Sequence, residues 1–600
     1  MQRRVPVLLA ALTIALALTS GLVAPARSRA ASPASQPTAL GTGGAIATVD
    51  LDASQAGLAV LRQGGNAVDA AVAAAATLGV TEPYSSGLGG GGFMVVYLAK
   101  QRRVVTIDSR ETAPAAYTSD VFIDPASGQP IPFAERVTSG LGVGVPGTPL
   151  LWQSALERYG TIGLREALAP AIRVAEHGFV VDKTFRDQTV SNLDRFRAIA
   201  PTRDLFLPGG DAPQVGSVFT NPDLARTYRL LGRRGMGAFY HGDLAEALVD
   251  TVRHPPVVPG SALNVRPGLM TAADLAAYRT VPRAPTRVDY RGRQVAGMGP
   301  PSSGGSTVGE ALNIAEGFDL GHEPRTLALH HYLESSRLAF ADRNRWVGDP
   351  DQVDVPLDGL LSQGFADERR CLVGARAATS PVPPGDPFPP FTGCAPAGQA
   401  PAAGAVTQGS TTHLTVADRQ GNVVAYTLTI EQIGGSALTV PGRGFLLNNE
   451  LTDFDPAPLF PGVPDPNLPA AGKRPRSSMS PTIVLLHGRP LLALGSPGGA
   501  TIITTVLQIL VNRLDLGMSL PEALAAPRVS QRNADPADAE PTFLATPEAA
   551  ELAALGQQFR STAEIGAATA IGFFPGGLLQ AVAEPVRRGG GSALVVDPHG

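Results

Sequence analysis

The sequence has almost no cysteine and few charged residues. Two cysteines among 600 residues cannot build a disulfide scaffold or a structural zinc site. Charged residues make up 17% of the chain, and 48 basic against 52 acidic side chains leave a formal net charge of -4. Because the chain has no basic excess to neutralise phosphates, nucleic acid is not an expected partner.

Several known site patterns are also missing. The nine histidines are scattered, so no metal-ligand cluster stands out and no metal is expected. The sequence contains no G-x-S-x-G serine motif. The glycines of Gly89–Gly92 do not meet the G-x-G-x-x-G spacing of a phosphate loop, and they indicate close backbone packing instead. We therefore expect an enzyme or binding protein without a cofactor.

The chain nevertheless has the composition of a large folded protein. Hydrophobic residues make up 44% of it, and its 68 glycines and 54 prolines add many turns and loops. This composition excludes a disordered, collagen-like or coiled-coil chain. The length predicts two to four domain-sized units, or one large two-part enzyme.

Residues 1–30 are predicted to be a signal peptide. Two arginines precede an apolar run over residues 5–23, and small residues follow from Ala24. This order is typical of a cleaved export signal, although the run is also of borderline length for a transmembrane anchor. No other stretch is long and apolar enough to span a bilayer. We expect an exported mature protein that is secreted, periplasmic or associated with the cell envelope, with no stable membrane span after signal removal.

Periodicity and turn residues predict blocks of strands and helices. The predicted helices cover residues 54–61, 67–78, 152–178, 224–252, 330–344 and 501–514, and the predicted strands cover 93–98, 104–107, 411–416, 423–430, 482–486 and 491–494. Such blocks predict an α+β protein with sheets covered by helices.

A long segment without periodicity precedes one of these strands. Residues 379–410 consist mostly of Pro, Ala, Gly, Ser and Thr, which is typical of a flexible loop. Loops of this length inside compact domains are either functional or disordered. Cys371 and Cys394 bracket part of the loop, and both a disulfide and reduced thiols are compatible with an exported protein.

Thr411 follows this loop directly and begins a strand. If the chain were cut after Ser410, Thr411 would carry a free α-amine next to its hydroxyl group. Such an amine can act as the general base for the hydroxyl, which makes the residue a self-activated nucleophile. Taken alone, the Thr-Thr pair is better explained by the preference of threonine for strands.

Two further features fit a site for small acyl compounds. Gly498 and Gly499 precede an apolar helix and offer adjacent backbone N–H groups, which suit an oxyanion hole but also an ordinary turn. Arg110 at the end of a strand can hold a carboxylate with two parallel hydrogen bonds, or form a surface ion pair.

Acidic and hydroxyl residues complete the set of candidates. Glu450 and Asp453, after an apolar segment, can receive an ammonium group. Ser477 and Ser478 can donate hydrogen bonds to a carboxylate. Each of these residues would also be unremarkable in a solvated loop.

Together, these segments resemble the γ-glutamyltranspeptidase family of N-terminal-nucleophile hydrolases. The resemblance covers nearly the whole chain after the predicted signal. The motifs that carry it are G-G-N-A-V-D-A-A from Gly64, G-L-G-G-G-G-F from Gly87, R-E-T-A-P from Arg110, T-T-H from Thr411, N-N-E from Asn448, R-P-R-S-S-M-S-P from Arg474 and G-S-P-G-G from Gly495.

The resemblance implies a four-layer αββα fold and a precursor that cleaves itself between Ser410 and Thr411. The products would be a large subunit of residues 31–410 and a small subunit of residues 411–600, which form a heterodimer. The implied substrates are glutathione and related γ-glutamyl compounds, with water, amino acids or peptides as acceptors of the γ-glutamyl group.

The resemblance also implies a role for each candidate residue. Thr411 would be the nucleophile, and Thr429 matches a second threonine close to it. The matched residues fall into three further groups: Gly498 and Gly499 for the oxyanion hole, Arg110, Ser477 and Ser478 for the substrate α-carboxylate, and Glu450 and Asp453 for its α-ammonium group.

Two departures from the family pattern affect substrate choice. Glu431 stands where many members have an asparagine that helps to hold the α-amine. The segment between Asp453 and Lys473 is shorter than in members with a long lid, which predicts a more open pocket.

Two alternative functions stay open. One is a glutaryl or cephalosporin-type acylase of the same fold, which would have no use for acceptors of an ammonium group. The other is an inactive exported binding protein, which predicts an intact chain.

Overall fold

The computed structural model describes residues 2, 36–391, 393, 409–460 and 462–598. Apart from residue 2, the predicted signal peptide lies outside the described residues, as do residues 392 and 394–408 of the predicted loop, including Cys394. All remaining predictions on elements and sites fall within them.

Thirteen strands form the centre of the molecule, and every pairing between them is antiparallel. In spatial order the strands are Val281–Arg283, Arg103–Asp108, Gly91–Leu98, Val423–Glu431, Ser410–Asp418, Thr38–Thr48, Leu579–Ala583, Thr569–Phe573, Arg489–Gly495, Thr482–Leu486, Arg293–Gly297 and Thr286–Tyr290, with Ser592–Pro598 beside Thr38–Thr48. Five short strands lie apart, Phe179–Val180 with Val218–Phe219, and Val529–Ser530 with Ala537–Ala539 and Phe559–Ser561.

The long strand Thr38–Thr48 joins two stacked sheets. Its first residues pair with Leu579–Ala583 of one sheet, and its later residues pair with Ser592–Pro598 and Ser410–Asp418 of the other. The buried side chains between the sheets come from both and are often small, as at Ala45, Ala47, Ala296, Ala417, Ala425, Ala493 and Ala581. Small side chains let the two sheets approach closely.

Helices cover the outer face of each sheet, each with its own buried apolar cluster. The helices are Leu51–Arg62, Ala67–Thr81, Phe133–Val137, Thr148–Tyr159, Leu164–Ala167, Ala169–His177, Lys183–Ser191, Leu193–Ala198, Ala200–Phe206, Pro222–Arg234, Gly237–Tyr240, Asp243–Arg253, Ala272–Ala277, Gly304–Ala315, Arg325–Trp346, Leu357–Leu360, Gln363–Arg370, Thr501–Leu514, Leu520–Ala525, Pro541–Leu544 and Pro547–Ala554. The helix–sheet–sheet–helix order confirms the predicted αββα fold.

Local sequence explains where the central elements begin. Asn66 caps the helix Ala67–Thr81 by accepting hydrogen bonds from Val68 and Asp69, and the Asp69 carboxylate bonds back to the Asn66 N–H group. This reciprocal cap satisfies backbone donors that the first helical turn leaves free.

Within the described ranges, no helix is long and apolar enough to cross a membrane.

The glycine cluster Gly89–Gly92 packs directly against neighbouring backbone, as predicted. A Cβ atom placed on Gly89 would lie 2.0 Å from the carbonyl oxygen of Leu446, and one on Gly90 would lie 2.0 Å from that of Thr429. Only glycine permits these approaches. They bring the segment before strand Gly91–Leu98 against the strand that carries Thr429.

Candidate active site

The strand Ser410–Asp418 begins at the predicted cleavage point. It lies inside the sheet, paired with Val423–Glu431. Thr411 is only 3% exposed, and its Oγ1 lies 2.7 Å from the carbonyl oxygen of Ser410. In the unbroken chain, the hydroxyl group therefore stands beside the peptide bond that it is predicted to break.

Thr429 contacts the same carbonyl group from the neighbouring strand. Its Oγ1 donates to the Ser410 carbonyl oxygen over 2.6 Å and lies 3.3 Å from Thr411 Oγ1. The N–H group of Glu431 donates to Thr429 Oγ1 over 2.8 Å, which fixes the orientation of that hydroxyl. A donor on the carbonyl oxygen favours attack at the carbonyl carbon.

Gly498 and Gly499 form the turn that leads into the helix Thr501–Leu514. Their φ angles are 133° and 57°, in the region that favours glycine. Their position just before a helix N-terminus suits the stabilisation of an anion. Their role as an oxyanion hole stays a prediction.

A cavity of about 530 Å³ adjoins Thr411. The predicted site residues in its wall are Arg110, Thr411, Thr429, Glu431, Glu450, Asp453, Ser477, Ser478 and Gly499. The cavity thus brings together candidates that lie as far apart in the sequence as Arg110 and Gly499. Ser410 and Gly498 do not contribute to its wall, although each is the chain neighbour of a residue that does.

Arg110 is buried and bonded to acidic residues of the same site. Its guanidinium donates to Glu450 and, over 2.5 Å, to Asp453. It also donates to the carbonyl oxygens of Pro475 and Arg476 over 3.1 and 3.2 Å. The predicted carboxylate-binding and ammonium-binding residues are therefore adjacent, which suits an α-amino acid because both groups stand on one carbon.

Glu431 occupies an unusual backbone position at the end of its strand. Its φ is 77°, and its buried carboxyl group accepts hydrogen bonds from the side-chain amides of Asn449 at 2.5 Å and Gln432 at 2.9 Å. These amides aim the carboxyl group toward the cavity wall beside Thr452. Glu431 can therefore act together with the other acidic residues of the site.

Burial raises the pKa values of two acidic residues of the site, Glu450 and Glu431. It raises the pKa of Glu450 to about 7, with Arg110 opposing the shift and Asp453 adding to it. Burial, together with the charges of Asp453 and Glu450, raises the pKa of Glu431 well above its usual value. Negative charges that lie close together in a buried site repel one another, and an incoming ammonium group would relieve that repulsion.

Ser477 and Ser478 line the cavity with their hydroxyl groups available. Ser478 Oγ accepts a hydrogen bond from Arg343 over 2.9 Å, and Ser477 Oγ accepts one from the N–H group of Met479 over 3.2 Å. A hydroxyl that accepts a bond keeps its own proton for donation. Both serines are therefore able to donate to a carboxylate in the cavity.

Two arginines of this region were not identified from the sequence. Arg343 lines the cavity beside Ser478, and burial together with the nearby charge of Arg476 lowers its pKa well below the usual value. Arg588 donates to the carbonyl oxygen of Thr411 over 2.7 Å. Neither residue belongs to a motif, and neither lies near Thr411 in the sequence.

Metal ligands are not grouped in the parts of the chain that the structure covers. Within residues 36–391, 393, 409–460 and 462–598, no three His, Cys, Asp or Glu side chains are placed to share a metal ion.

Comparison with known proteins places this site in a family. The family model described as gamma-glutamyltranspeptidase matches residues 53–594. The glutathione hydrolase proenzyme of Bacillus subtilis (strain 168) is 42% identical over 492 residues, which cover 82% of this chain and 81% of that protein. Acylase ACY 1 proenzyme of Pseudomonas sp. (strain SE83) is 38% identical over 497 residues, which cover 82% of this chain and 83% of that protein.

A solved structure shares the architecture. The crystal structure of cephalosporin acylase from Bacillus halodurans superposes with a TM-score of 0.81 at 29% identity, over 96% of this chain and 100% of that chain. The family match covers the strands from Gly91–Leu98 to Leu579–Ala583, the Ser410–Thr411 junction and every residue of the cavity wall named above, whereas the strand Thr38–Thr48 lies before it. The resemblance found in the sequence is thereby confirmed, and the chain belongs to the γ-glutamyltranspeptidase family.

Proposed function

We propose that the chain is the precursor of a γ-glutamyltransferase and glutathione hydrolase that cleaves itself between Ser410 and Thr411. The observation that carries this proposal is the placement of the Thr411 and Thr429 hydroxyl groups at the Ser410 carbonyl oxygen. Removal of residues 1–30 and the cut yield subunits 31–410 and 411–600, which stay together because their strands alternate within the sheets.

Self-cleavage begins with attack by Thr411 Oγ1 on the carbonyl carbon of Ser410. A C–O bond forms, the C–N bond breaks, and the hydroxyl proton moves to the departing nitrogen, which becomes the free α-amine of Thr411. Thr429 donates to the carbonyl oxygen as negative charge develops on it. Water then hydrolyses the ester, which restores the Thr411 hydroxyl and leaves Ser410 as a carboxyl terminus.

Turnover uses the same hydroxyl group with a new base. The free α-amine of Thr411 takes the hydroxyl proton while Oγ1 attacks the γ-carbonyl carbon of the donor. The N–H groups of Gly498 and Gly499 stabilise the oxyanion, and the departing amine leaves with the proton. Water or the amine of an amino acid or peptide then takes the γ-glutamyl group from the ester.

The donor is recognised through its α-carbon. Its ammonium group replaces the guanidinium as a partner of Glu450 and Asp453, with Glu431 in reach, and its carboxylate takes up the freed donors of Arg110. Ser477 and Ser478, which line the cavity, supply neutral donors to the same carboxylate. A glutaryl group has no ammonium and would leave the acidic residues buried and unpaired.

Paired donors test this assignment against the acylase alternative. We expect kcat/KM for γ-glutamyl-p-nitroanilide to exceed that for glutaryl-p-nitroanilide by about 100-fold or more, because the site loses its ammonium partner with the second donor. Both donors release p-nitroaniline, so the ratio of their kcat/KM values reports only how the enzyme recognises the acyl group. A faster reaction with the glutaryl donor would make the protein an acylase.

A denaturing gel of the purified protein accompanies the assay. The proposed enzyme gives two bands, whereas an inactive binding protein on this scaffold gives one band of precursor size.

The ratio of kcat/KM for the γ-glutamyl donor to kcat/KM for the glutaryl donor should depend on pH. An ammonium group binds to ionised carboxylates, and burial holds the pKa of Glu450 near 7. The preference for the γ-glutamyl donor should therefore grow as pH rises from 5.5 through about 7 and then level off. Since both donors need the Thr411 amine in its neutral form, its titration cancels in the ratio. Glu450→Gln should flatten the profile, and a flat profile in the unaltered enzyme would remove Glu450 from ammonium binding.

A further inference from the structure

An arginine near the end of the chain holds both sides of the Ser410–Thr411 bond. Arg588 Nη1 donates to the carbonyl oxygen of Thr411 over 2.7 Å, and its Nη2 lies 3.4 Å from Ser410 Oγ. The guanidinium reaches this bond from the short turn Arg587–Gly589, which connects the last two strands.

That turn is fastened by buried ion pairs. Arg587, the neighbour of Arg588, forms ion pairs with Glu540 at 2.5 Å and Glu584 at 2.9 Å. The backbone N–H group of Arg588 itself donates to Glu564 over 3.1 Å, and its φ is 54°. The surrounding contacts therefore fix the backbone conformation of Arg588, from which its guanidinium extends.

A second contact holds the side chain of Ser410. Ser85 Oγ lies 2.7 Å from Ser410 Oγ, and Arg588 Nη1 lies 3.5 Å from Ser85 Oγ. Ser85 stands in the turn after the helix Ala67–Thr81, where its N–H group donates to the carbonyl oxygen of Glu82 over 3.0 Å. Both serines are fully buried. Nothing in the chemistry of γ-glutamyl transfer uses this pair of hydroxyl groups.

We propose that Arg588 and Ser85 are positioning residues for self-cleavage. They fix the residues before and after the peptide bond, so that the Ser410 carbonyl carbon stays within reach of Thr411 Oγ1 while Thr429 donates to its oxygen. Such alignment of reacting groups is a large source of rate in intramolecular reactions. The inference rests on the proposed function, since it concerns the cut that produces the nucleophile.

Arg588 and Ser85 act in different steps. The carbonyl group of Thr411 stays with the nucleophile after the cut, so Arg588 continues to hold it during turnover. After the cut, Ser410 is the last residue of the large subunit, and none of its groups takes part in γ-glutamyl transfer. Ser85 therefore acts in cleavage alone, whereas Arg588 acts in cleavage and turnover.

A merely structural role makes a different prediction. The charge of Arg588 also acts on the buried carboxyl group of Glu82, whose pKa burial raises to about 7 against the lowering effect of Arg588. If Arg588 and Ser85 only maintained the fold, their replacement would lower thermal stability and would reduce cleavage and turnover in parallel.

Cell-free translation of the full chain, followed on denaturing gels, measures the rate of cleavage for each variant. We expect Ser85→Ala to cleave about tenfold more slowly, the loss of one hydrogen bond in the reacting geometry. Once cleaved, it should hydrolyse γ-glutamyl-p-nitroanilide with a kcat within about twofold of the unaltered enzyme. Ser86→Ala is the matched control, because Ser86 is buried next to it and bonds only weakly, at 3.4 Å, to the Glu82 carbonyl oxygen.

Replacement of Arg588 should slow both steps. We expect Arg588→Gln to cleave about 100-fold more slowly and its cleaved form to lose at least about tenfold in kcat, with Arg588→Lys in between because it keeps the charge but not the two-pronged geometry. Cleavage of Ser85→Ala at the rate of Ser86→Ala, or an equal loss of kcat in cleaved Ser85→Ala and Arg588→Gln, would overturn the inference. Failure of the unaltered chain to cleave would overturn the proposed function instead.

Discussion

Thr411→Ala is expected to leave the precursor uncut and without hydrolytic activity. The hydroxyl group that it removes is the one at 2.7 Å from the Ser410 carbonyl oxygen, and no other step forms the ester. Removal of a catalytic nucleophile typically costs about 10⁴-fold to 10⁶-fold in rate. The measurements are a denaturing gel of the purified protein and hydrolysis of γ-glutamyl-p-nitroanilide. Two bands of subunit size from Thr411→Ala would assign the nucleophile to another residue.

The next residue along the strand provides the matched control. Thr412 is fully buried, and its Oγ1 makes no hydrogen bond to any described residue. Because successive side chains of a strand point to opposite faces, Thr412 does not share the environment of Thr411. Thr412→Val should therefore cleave and react normally, and Thr411→Ser should keep part of both activities because it retains the hydroxyl group.

The regular elements were accessible from the sequence because their signals are local. The apolar period over 330–344 indicated a helix that extends over Arg325–Trp346, and the alternation around the turn at Gly421 indicated the strands Ser410–Asp418 and Val423–Glu431. Where helices are interrupted, the sequence was less exact. The predicted helical stretch 152–178 comprises three helices, of which the first two are separated by residues 160–163, with a glycine at each end, and the last two by Leu168.

The site was accessible only in part, because its energetics depend on contacts between distant residues. The motifs indicated Arg110, Glu450 and Asp453 separately and gave them separate roles. Their mutual ion pairs join residues more than 300 positions apart, and no pattern in one sequence encodes that contact. Arg588 was missed for the same reason, since its contact with Thr411 depends on how the last turn crosses the sheet.

Arg110→Gln is expected to be the most destabilising substitution in the substrate pocket. Glu450 is 1% exposed and Arg110 is equally buried, so the substitution leaves carboxyl groups without their cation. Removing one partner of a buried ion pair costs about 3–5 kcal/mol. The same substitution removes the charged donor that we propose for the substrate carboxylate, and we expect kcat/KM to fall by at least about 100-fold. Thermal unfolding of the uncleaved Thr411→Ala chain, with and without Arg110→Gln, measures the loss of stability in a single covalent chain.

The loss of stability caused by Arg110→Gln should be smaller at low pH than at high pH. Without Arg110, burial keeps the folded-state pKa of Glu450 above its unfolded value, so the folded state binds the proton more tightly and protonation favours folding. Arg110→Gln should therefore destabilise the chain less at pH 5 than at pH 8. Adding Glu450→Gln removes the titrating group and should restore part of the stability at pH 8 while leaving pH 5 nearly unchanged. An equal loss at both pH values, or no restoration in the double variant, would mean that Arg110 stabilises the pocket through packing and its bonds to the backbone carbonyl groups, with little contribution from its charge.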